Sequence, residues 1–151
     1  MGRIVTIPLR NVTITASDAD FDIVSIGSSA DYRGILHMLS LTSNAAAEQF
    51  LDLALVTRST AGSGGTGITE APVDAGNTRT PSFTAVHNNT TPGTLGNTLF
   101  PYQWSMRNEL LMIPTPEIRP VISVSSWIAL HCATSITGSI KVNGYVVIEE
   151  Y

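Results

Sequence analysis

The side chains that most often carry catalysis or bind metals are few in this sequence and lie far apart. The three histidines, His37, His87 and His131, fall on separate predicted strands, and none has the close spacing of a metal site. Cys132 follows His131 directly, and neighbouring strand residues point to opposite faces, so His131 cannot activate this thiol. We expect Cys132 to be a small buried hydrophobe. No nucleophile, base and orienting group can be assembled, and we therefore predict that the protein is not an enzyme and binds no cofactor.

Gly62, Gly64 and Gly67 fit the G-x-G-x-x-G pattern of a dinucleotide-binding loop. That loop must open a helix whose N-terminus holds the pyrophosphate. Residues 68–77 contain Pro72 and show no helical period, and no lysine follows the glycines as in a P-loop. The pattern therefore indicates a flexible loop.

Asp18, Asp20 and Asp22 have the spacing of the first three ligands of a calcium-binding loop. The sixth position is Ile23 where glycine is needed, and the twelfth is Ser29 where a bidentate glutamate is needed. A turn with solvated carboxylates is the main interpretation, and adventitious binding of a cation is the alternative.

Tyr102, Trp104 and Arg107 are close together, and aromatic and arginine side chains dominate binding hot spots. Trp104 is equally suited to the core, because tryptophan is commonly buried in a domain of this size. Both interpretations stay open from the sequence.

The elements that must position these residues follow from the composition. Charged residues make up 13% of the 151 residues, about half of the roughly 25% of an ordinary domain. Ser and Thr contribute 15 and 18 residues, beside 12 Gly and 8 Pro. This composition favours strands joined by turns. One all-β domain, residues 1–151, is the expected organisation.

Alternation of apolar and polar residues recurs in short segments separated by turn residues. It predicts about eight or nine strands in a β-sandwich or jelly roll, with at most one short helix at residues 44–49. Residues 33–42 are apolar on both faces, which indicates a central strand or one covered by another subunit. The predicted strands are 11–17, 21–26, 33–42, 50–58, 82–87, 100–112, 121–125, 127–133 and 139–149.

Three segments outside these strands have distinctive compositions. Residues 59–80 form a long Gly/Ser/Thr-rich loop, and loops of this length are usually functional or disordered, so we expect a contact arm. Residues 1–10 are a second candidate arm, of which 3–8 have the pattern of a strand. Residues 113–120 contain three prolines, and we expect them to run extended along an edge.

Charge and hydropathy exclude several partners. The net charge is −4, with a single lysine and scattered arginines, so there is no basic stripe for a phosphate backbone and we expect no nucleic acid. No apolar stretch approaches the length of a membrane span, and the N-terminus lacks the apolar run of a signal peptide. We expect a soluble protein made in a cytoplasm, with no membrane or small-molecule partner.

The order of several segments resembles a family of small virion proteins of tailed bacteriophages, the head decoration or cement proteins. The segments that carry the resemblance are MGRI at 1–4, TEAP at 69–72, NNTT at 88–91, IPTPEIRPVI at 113–122 and EE at 149–150. They span nearly the whole chain and are loop and edge segments. Residues 43–49 and 92–102 depart from the expected pattern, which bears on partner contacts.

The resemblance implies a β-sandwich or jelly roll, a homotrimer, attached to the outside of a capsid by bridging neighbouring subunits of the major capsid protein. A clamp of this kind combines a stiff body with extended arms and gains from multivalency. The rival hypotheses are a carbohydrate- or receptor-binding module of a tail or fibre, with Tyr102 and Trp104 as its sugar platform, and a tail or head-completion protein. The residues expected at the contact surface are Arg3, Ile4, Ile7, Arg10, Arg58, Thr69, Glu70, Arg79, Tyr102, Trp104, Arg107 and Arg119.

Overall fold

The computed structural model describes residues 2–151, and Met1, the first residue of the predicted arm, lies outside the described residues. The described chain forms two antiparallel sheets packed face to face, which confirms the prediction of a single all-β sandwich. Two short strands within the predicted loop 59–80, and the division of residues 100–112 between two strands, bring the total in these residues to twelve. The strands are β1 (Arg3–Thr15), β2 (Phe21–Ser28), β3 (Gly34–Ser43), β4 (Phe50–Arg58), β5 (Thr66–Ile68), β6 (Ala71–Pro72), β7 (Phe83–Asn89), β8 (Leu95–Ser105), β9 (Leu110–Met112), β10 (Val121–Ile122), β11 (Trp127–Cys132) and β12 (Ser139–Glu150).

The strand order is that of a jelly roll. The first sheet runs β10-β3-β12-β1-β6, with β9 also pairing with β3, and the second runs β5-β7-β2-β11-β4-β8. Strands of the first half of the chain pair antiparallel with strands of the second half, taken in reverse order from the C-terminal end. The pairs are β1·β12, β2·β11, β3·β9/β10 and β4·β8. A long hairpin rolled into two sheets gives this pairing. Two additional strands, β7 and β5, extend the second sheet beyond β2.

The core lies between the sheets and follows from strand alternation. In the first sheet Ile7, Val146 and Leu39 stand opposite one another and are almost completely buried. Leu130 and Leu55 pair in the second sheet and face them. Because successive side chains alternate, the residues beside these point to the outer faces of the sandwich.

The predicted N-terminal arm is part of the sandwich. Its residues 3–10 belong to β1, which pairs with β12 on one side and with β6 on the other. Apolar residues at alternate positions, Val5, Ile7 and Leu9, are buried, so the prediction of a free arm is wrong for the described residues.

The long Gly/Ser/Thr-rich loop is also folded onto the body. Residues 59–80 contain β5, which pairs with β7, and β6, which pairs with β1, so this segment crosses from one sheet to the other. Ser63 and Thr91 exchange two backbone hydrogen bonds of 2.8 and 3.1 Å, and the amide of Ser59 donates to the carbonyl of Thr94 at 3.0 Å. The expectation of a structureless arm is therefore wrong for residues 59–72.

Residues 44–49 contain no helix, which the prediction of at most one short helix allows. The Asn44 side chain accepts a hydrogen bond from the Lys141 amide, and the Ser43 hydroxyl accepts one from the Ala45 amide. Instead a 3₁₀ turn forms at Pro116–Ile118, within the segment predicted to be extended throughout. Proline suits the first position of such a turn, since it has no amide hydrogen to leave unpaired. Across residues 2–151 no helix has the length and apolar character needed to cross a membrane.

Candidate interaction surface

Arg3 and Arg79, two of the predicted contact residues, meet at the carboxylate of Glu150. Arg3 Nε donates to Glu150 Oε2 at 3.1 Å, and Arg79 Nη2 donates to Oε1. The Arg79 guanidinium also lies 4.6 Å from the centre of the Tyr32 ring. Burial raises the pKa of Glu150, but hydrogen bonds from Arg3 and Ser82 and the charges of both arginines outweigh it, so the pKa is lowered overall. This cluster ties the end of β12 to the segment that precedes β7.

Four other predicted contact residues are dispersed over the outside. Arg10 and Thr69 are exposed and line one cavity of about 270 Å³ beside Pro8. Ile4 and Glu70 are half-buried, and burial raises the pKa of Glu70. Ile4 lines a further cavity together with Arg3, whereas Arg10 and Thr69 line the first one.

Two predicted contact residues belong to the core. Ile7 is fully buried in β1, and Trp104 is 1% exposed, with its Nε1 donating to the carbonyl of Asn108 at 2.9 Å. Their proposed interface role is wrong, because the packed sandwich leaves no surface of either side chain for a partner. Trp104 faces inward because it pairs with the buried Leu51 of β4.

Arg58 forms a buried ion pair on the outer face of the second sheet. Its Nε and Nη2 donate to the two carboxylate oxygens of Asp22 at 2.9 and 2.6 Å, and Nη1 donates to the carbonyl of Gly93 at 2.8 Å. His131 Nδ1 lies 3.1 Å from both Arg58 Nη2 and Asp22 Oδ1. Arg58 is thus held by its own chain.

The three aspartates of the calcium-like pattern do not converge. Asp18 accepts a hydrogen bond from the Thr15 amide at 2.7 Å, Asp22 binds Arg58, and Asp20 lies 3.1 Å from His131 Nε2. Among the described residues no group of three His, Cys, Asp or Glu side chains is placed to hold a metal ion. Asp18 is held within its own turn, whereas Asp20 and Asp22 both contact His131. Asp22 is buried, so the prediction of a turn with solvated carboxylates is wrong for that residue.

Cys132 lies in the core, as expected of a small hydrophobe. Burial raises the pKa of its thiol, which donates to the carbonyl of Thr134. His131 is only partly buried and contacts the aspartates. The two side chains therefore occupy different environments.

A large apolar surface lies where the two sheets separate at the edge strands β8 and β9. Phe100 and Tyr102 of β8 pair with Leu55 and Leu53 of β4, so they point inward, yet Phe100 is only partly buried and Tyr102 is 49% exposed. The core is open here, and a cavity of about 360 Å³ remains between the edges. We call this surface the apolar seam; it is lined by Phe100, Pro101, Tyr102, Leu110, Leu111, Met112, Ile113, Pro114 and Ile118.

The seam is unusually apolar for a solvent-facing surface. Tyr102, Leu111, Ile113 and Ile118 are 49, 50, 57 and 55% exposed. Together these side chains present an apolar surface on the order of a few hundred Å², the size of the largest patch on a typical monomer, which is often functional.

The proline-rich segment shapes one wall of the seam. Pro114 is buried against the body, whereas Ile113 and Ile118 on either side of it are exposed. Prolines remove backbone donors from this wall, so it offers apolar side chains without an edge for further strand pairing. Arg119, a predicted contact residue, is half-buried beside Ile118, and Arg107 is exposed in the β8–β9 turn.

Sequence reasoning identified Tyr102 but missed most of the seam. Leu111, Ile113 and Ile118 were not among the predicted contact residues, although isoleucines between prolines are a signal, since such a segment cannot bury them in a central strand. The buried Asp22–Arg58 pair was also missed. Its signal was one acidic and one basic residue within otherwise apolar strands.

Comparison with family models, with curated proteins and with solved structures finds no match. The apolar seam is therefore assigned as the candidate functional surface on the geometry of this chain alone.

Proposed function

We propose that this chain is a structural protein of a phage virion, which decorates and stabilises the capsid by bridging neighbouring subunits of the major capsid protein. The observation that carries the proposal is the apolar seam, a half-exposed apolar surface at the open edge of a jelly roll. An exposed patch of this kind marks a protein contact.

The body is suited to a clamp because its ends and connections are tied down. The Arg3–Glu150–Arg79 cluster joins both chain ends to one connection, and Arg58 joins β4 to another. A stiff body loses little conformational entropy when it binds, which leaves more of the contact energy for attachment. The low content of charged residues, 13%, also limits the number of ions that a contact would desolvate.

Attachment as a homotrimer would strengthen the clamp. Three linked copies make the second and third contacts intramolecular, which raises the overall affinity without any new contact. In this proposal the chain is made in the host cytoplasm, its partners are the major capsid protein and itself, and its final location is the capsid surface.

The test is cosedimentation with purified phage shells that lack the chain because its gene has been deleted. The wild-type chain should bind these shells, and the double variant Ile113→Ser/Ile118→Ser should bind at least about tenfold more weakly, since it removes two apolar side chains from the contact. Both side chains are more than half exposed, so the fold should be retained.

A matched control replaces two exposed valines outside the seam. Val73→Ser/Val124→Ser makes the same kind of change at residues that are 59 and 42% exposed, and it should bind shells as the wild type does. Failure of the wild type to bind shells would contradict capsid decoration. Equal binding of the seam variant would show that the contact lies elsewhere.

The alternative hypotheses have less support. A sugar platform would need exposed aromatic side chains at Tyr102 and Trp104, but Trp104 is in the core. The other tryptophan, Trp127, packs over Gly27. A tail or head-completion protein would have the same fold, and the shell experiment separates it from a decoration protein.

A further inference from the structure

A second cavity, separate from the apolar seam, opens on the outer face of the second sheet. Its volume is about 360 Å³, and it lies between β4, β8 and β11 beside the connection at Pro92 and Gly93. Ala54, Val56 and Leu95 give it apolar walls, and Thr98 adds a hydroxyl. We call it the Asp20 cavity, after the carboxylate that also lines it.

Carboxylates outnumber arginine and lysine side chains around the Asp20 cavity. Arg58 is the sole arginine or lysine that lines it in the described part of the chain, and its charge is matched by Asp22, whose carboxylate it binds through two hydrogen bonds. His131 stands between two carboxylates, with its Nε2 3.1 Å from Asp20 Oδ1 and its Nδ1 3.1 Å from Asp22 Oδ1. Asp20 has no arginine or lysine partner among the described residues, and its side chain is 81% exposed.

A further carboxylate adds to the negative potential. Asp52 is exposed and stands two residues before Ala54 on the same face of β4, about 7 Å along the strand. Its one side-chain hydrogen bond within the described residues is a long contact, 3.4 Å, with the neutral amide of Gln103. Asp20 and Asp52 are exposed, whereas Arg58 is buried and bound to Asp22, so the accessible charge at the cavity is negative and favours cations.

We propose that the Asp20 cavity binds the side chain of a lysine or arginine of a partner protein. The apolar walls suit the aliphatic stem of such a side chain, and the carboxylate of Asp20 at the opening suits its charged head. A basic side chain from a partner would give the exposed Asp20 carboxylate a lysine or arginine counter-charge. This contact is separate from the apolar seam and would add a charged, orienting interaction at a different face.

The test is an NMR titration of the ¹⁵N-labelled full chain with n-butylammonium chloride at constant ionic strength. Saturable shifts are expected at the amides of Asp20, Leu95, Thr98 and His131, and neither 1-butanol nor sodium butyrate should reproduce them. Asp20→Asn should weaken binding about two- to fivefold, the range for an exposed ion pair. Asn tolerates the positive φ of 54° at this position, so the fold should be unchanged.

The controls decide between the sources of the cation. Asp31→Asn, at an exposed site in the β2–β3 connection, should bind n-butylammonium as the wild type does. The tripeptide acetyl-Gly-Lys-Gly-amide should bind, and its norleucine analogue should not. Binding of the free amine without the lysine peptide would overturn a partner side chain in favour of a small amine. No saturable shifts, equal shifts with 1-butanol, or unchanged binding by Asp20→Asn would overturn the cation site itself.

Discussion

Two buried acidic side chains, Asp22 and Glu150, connect parts of the chain that are distant in sequence. Each is matched by arginine: Asp22 by Arg58, and Glu150 by Arg3 and Arg79. Burial of a carboxylate is costly unless it is paired and hydrogen-bonded. The arginines are therefore needed to stabilise buried carboxylates, and the two clusters hold the connections on either side of β7, at Arg79 and at Gly93.

The pKa of Glu150 predicts how stability depends on pH. Because the folded-state pKa lies below its ordinary value of 4.5, the stabilisation is fully present above that pH and is lost as the pH falls through the folded value. Glu150→Gln should lower the free energy of unfolding at pH 7 by about 2–3 kcal/mol. The variant should also lose less stability than the wild type between neutral pH and about pH 3.

Urea denaturation across this pH range measures both effects. Glu48→Gln is the matched control, because Glu48 is exposed and contacts only the Ser105 hydroxyl among the described side chains, so its acid profile should follow the wild type. A Glu150→Gln profile parallel to that of the wild type would contradict the assignment of acid sensitivity to this carboxylate.

At the scale of elements, the connection between β4 and β8 differs most from a simple jelly roll. It supplies β5 to the second sheet and β6 to the first, and residues 59–65 with 90–94 cover the outer face of the second sheet. Ser25, Val56 and Ala129 are buried on or beside that face for this reason. A strand that is covered on both faces is buried at every position, as residues 21–27 of β2 are.

The sequence was informative about elements wherever periodicity extends over six or more residues. β2, β4, β11 and β12 were predicted nearly within their observed bounds, because alternation is a local property. β5, β6, β9 and β10 have two or three residues each, too few for a period, and they form because distant strands offer an edge. The seam was missed for the same reason, since it depends on where two edges end.

Gly93→Ala tests whether the covering connection is packed as tightly as the structure indicates. A Cβ at Gly93 would overlap the carbonyl of Thr60, whereas a Cβ at Gly67 would meet no atom within 4 Å. We expect Gly93→Ala to destabilise the protein by about 1–3 kcal/mol, as overpacking does. Gly67→Ala, in β5, should change stability by less than about 0.5 kcal/mol.

Thermal and urea unfolding of the two variants provide the comparison. Faster hydrogen exchange of the Ser59 and Ser63 amides in Gly93→Ala would place the effect in this connection, since both amides donate to its partner segment. Equal stability of the two variants would mean that residues 59–65 are not packed against 90–94.

At the scale of the whole molecule, the proposed trimer and the proposed shell contact need different surfaces. The seam is assigned to the shell. The outer face of the first sheet presents a second apolar area. Tyr145 and Val147 of β12 point to this face, because they neighbour the core residue Val146 in the strand. Val147 pairs there with Met38, and Tyr145 lies between Pro8 and Ser40. Tyr145 is 40% exposed near the centre of this face. The apolar character predicted for both faces of residues 33–42 fits a sheet that another subunit covers.

The native mass of the purified chain tests this division of surfaces. The wild type and the seam variant Ile113→Ser/Ile118→Ser should both have a mass of three times 16.1 kDa, because neither change touches the outer face of the first sheet. Tyr145→Ser should shift the mass toward 16.1 kDa, since it removes the largest exposed side chain from the centre of that face. A monomeric wild type would contradict the homotrimer and its multivalent clamp. If Tyr145→Ser stayed trimeric and the seam variant became monomeric, the assignment of the two surfaces would be reversed. The seam would then join the subunits of the trimer and could not also be free to contact the shell.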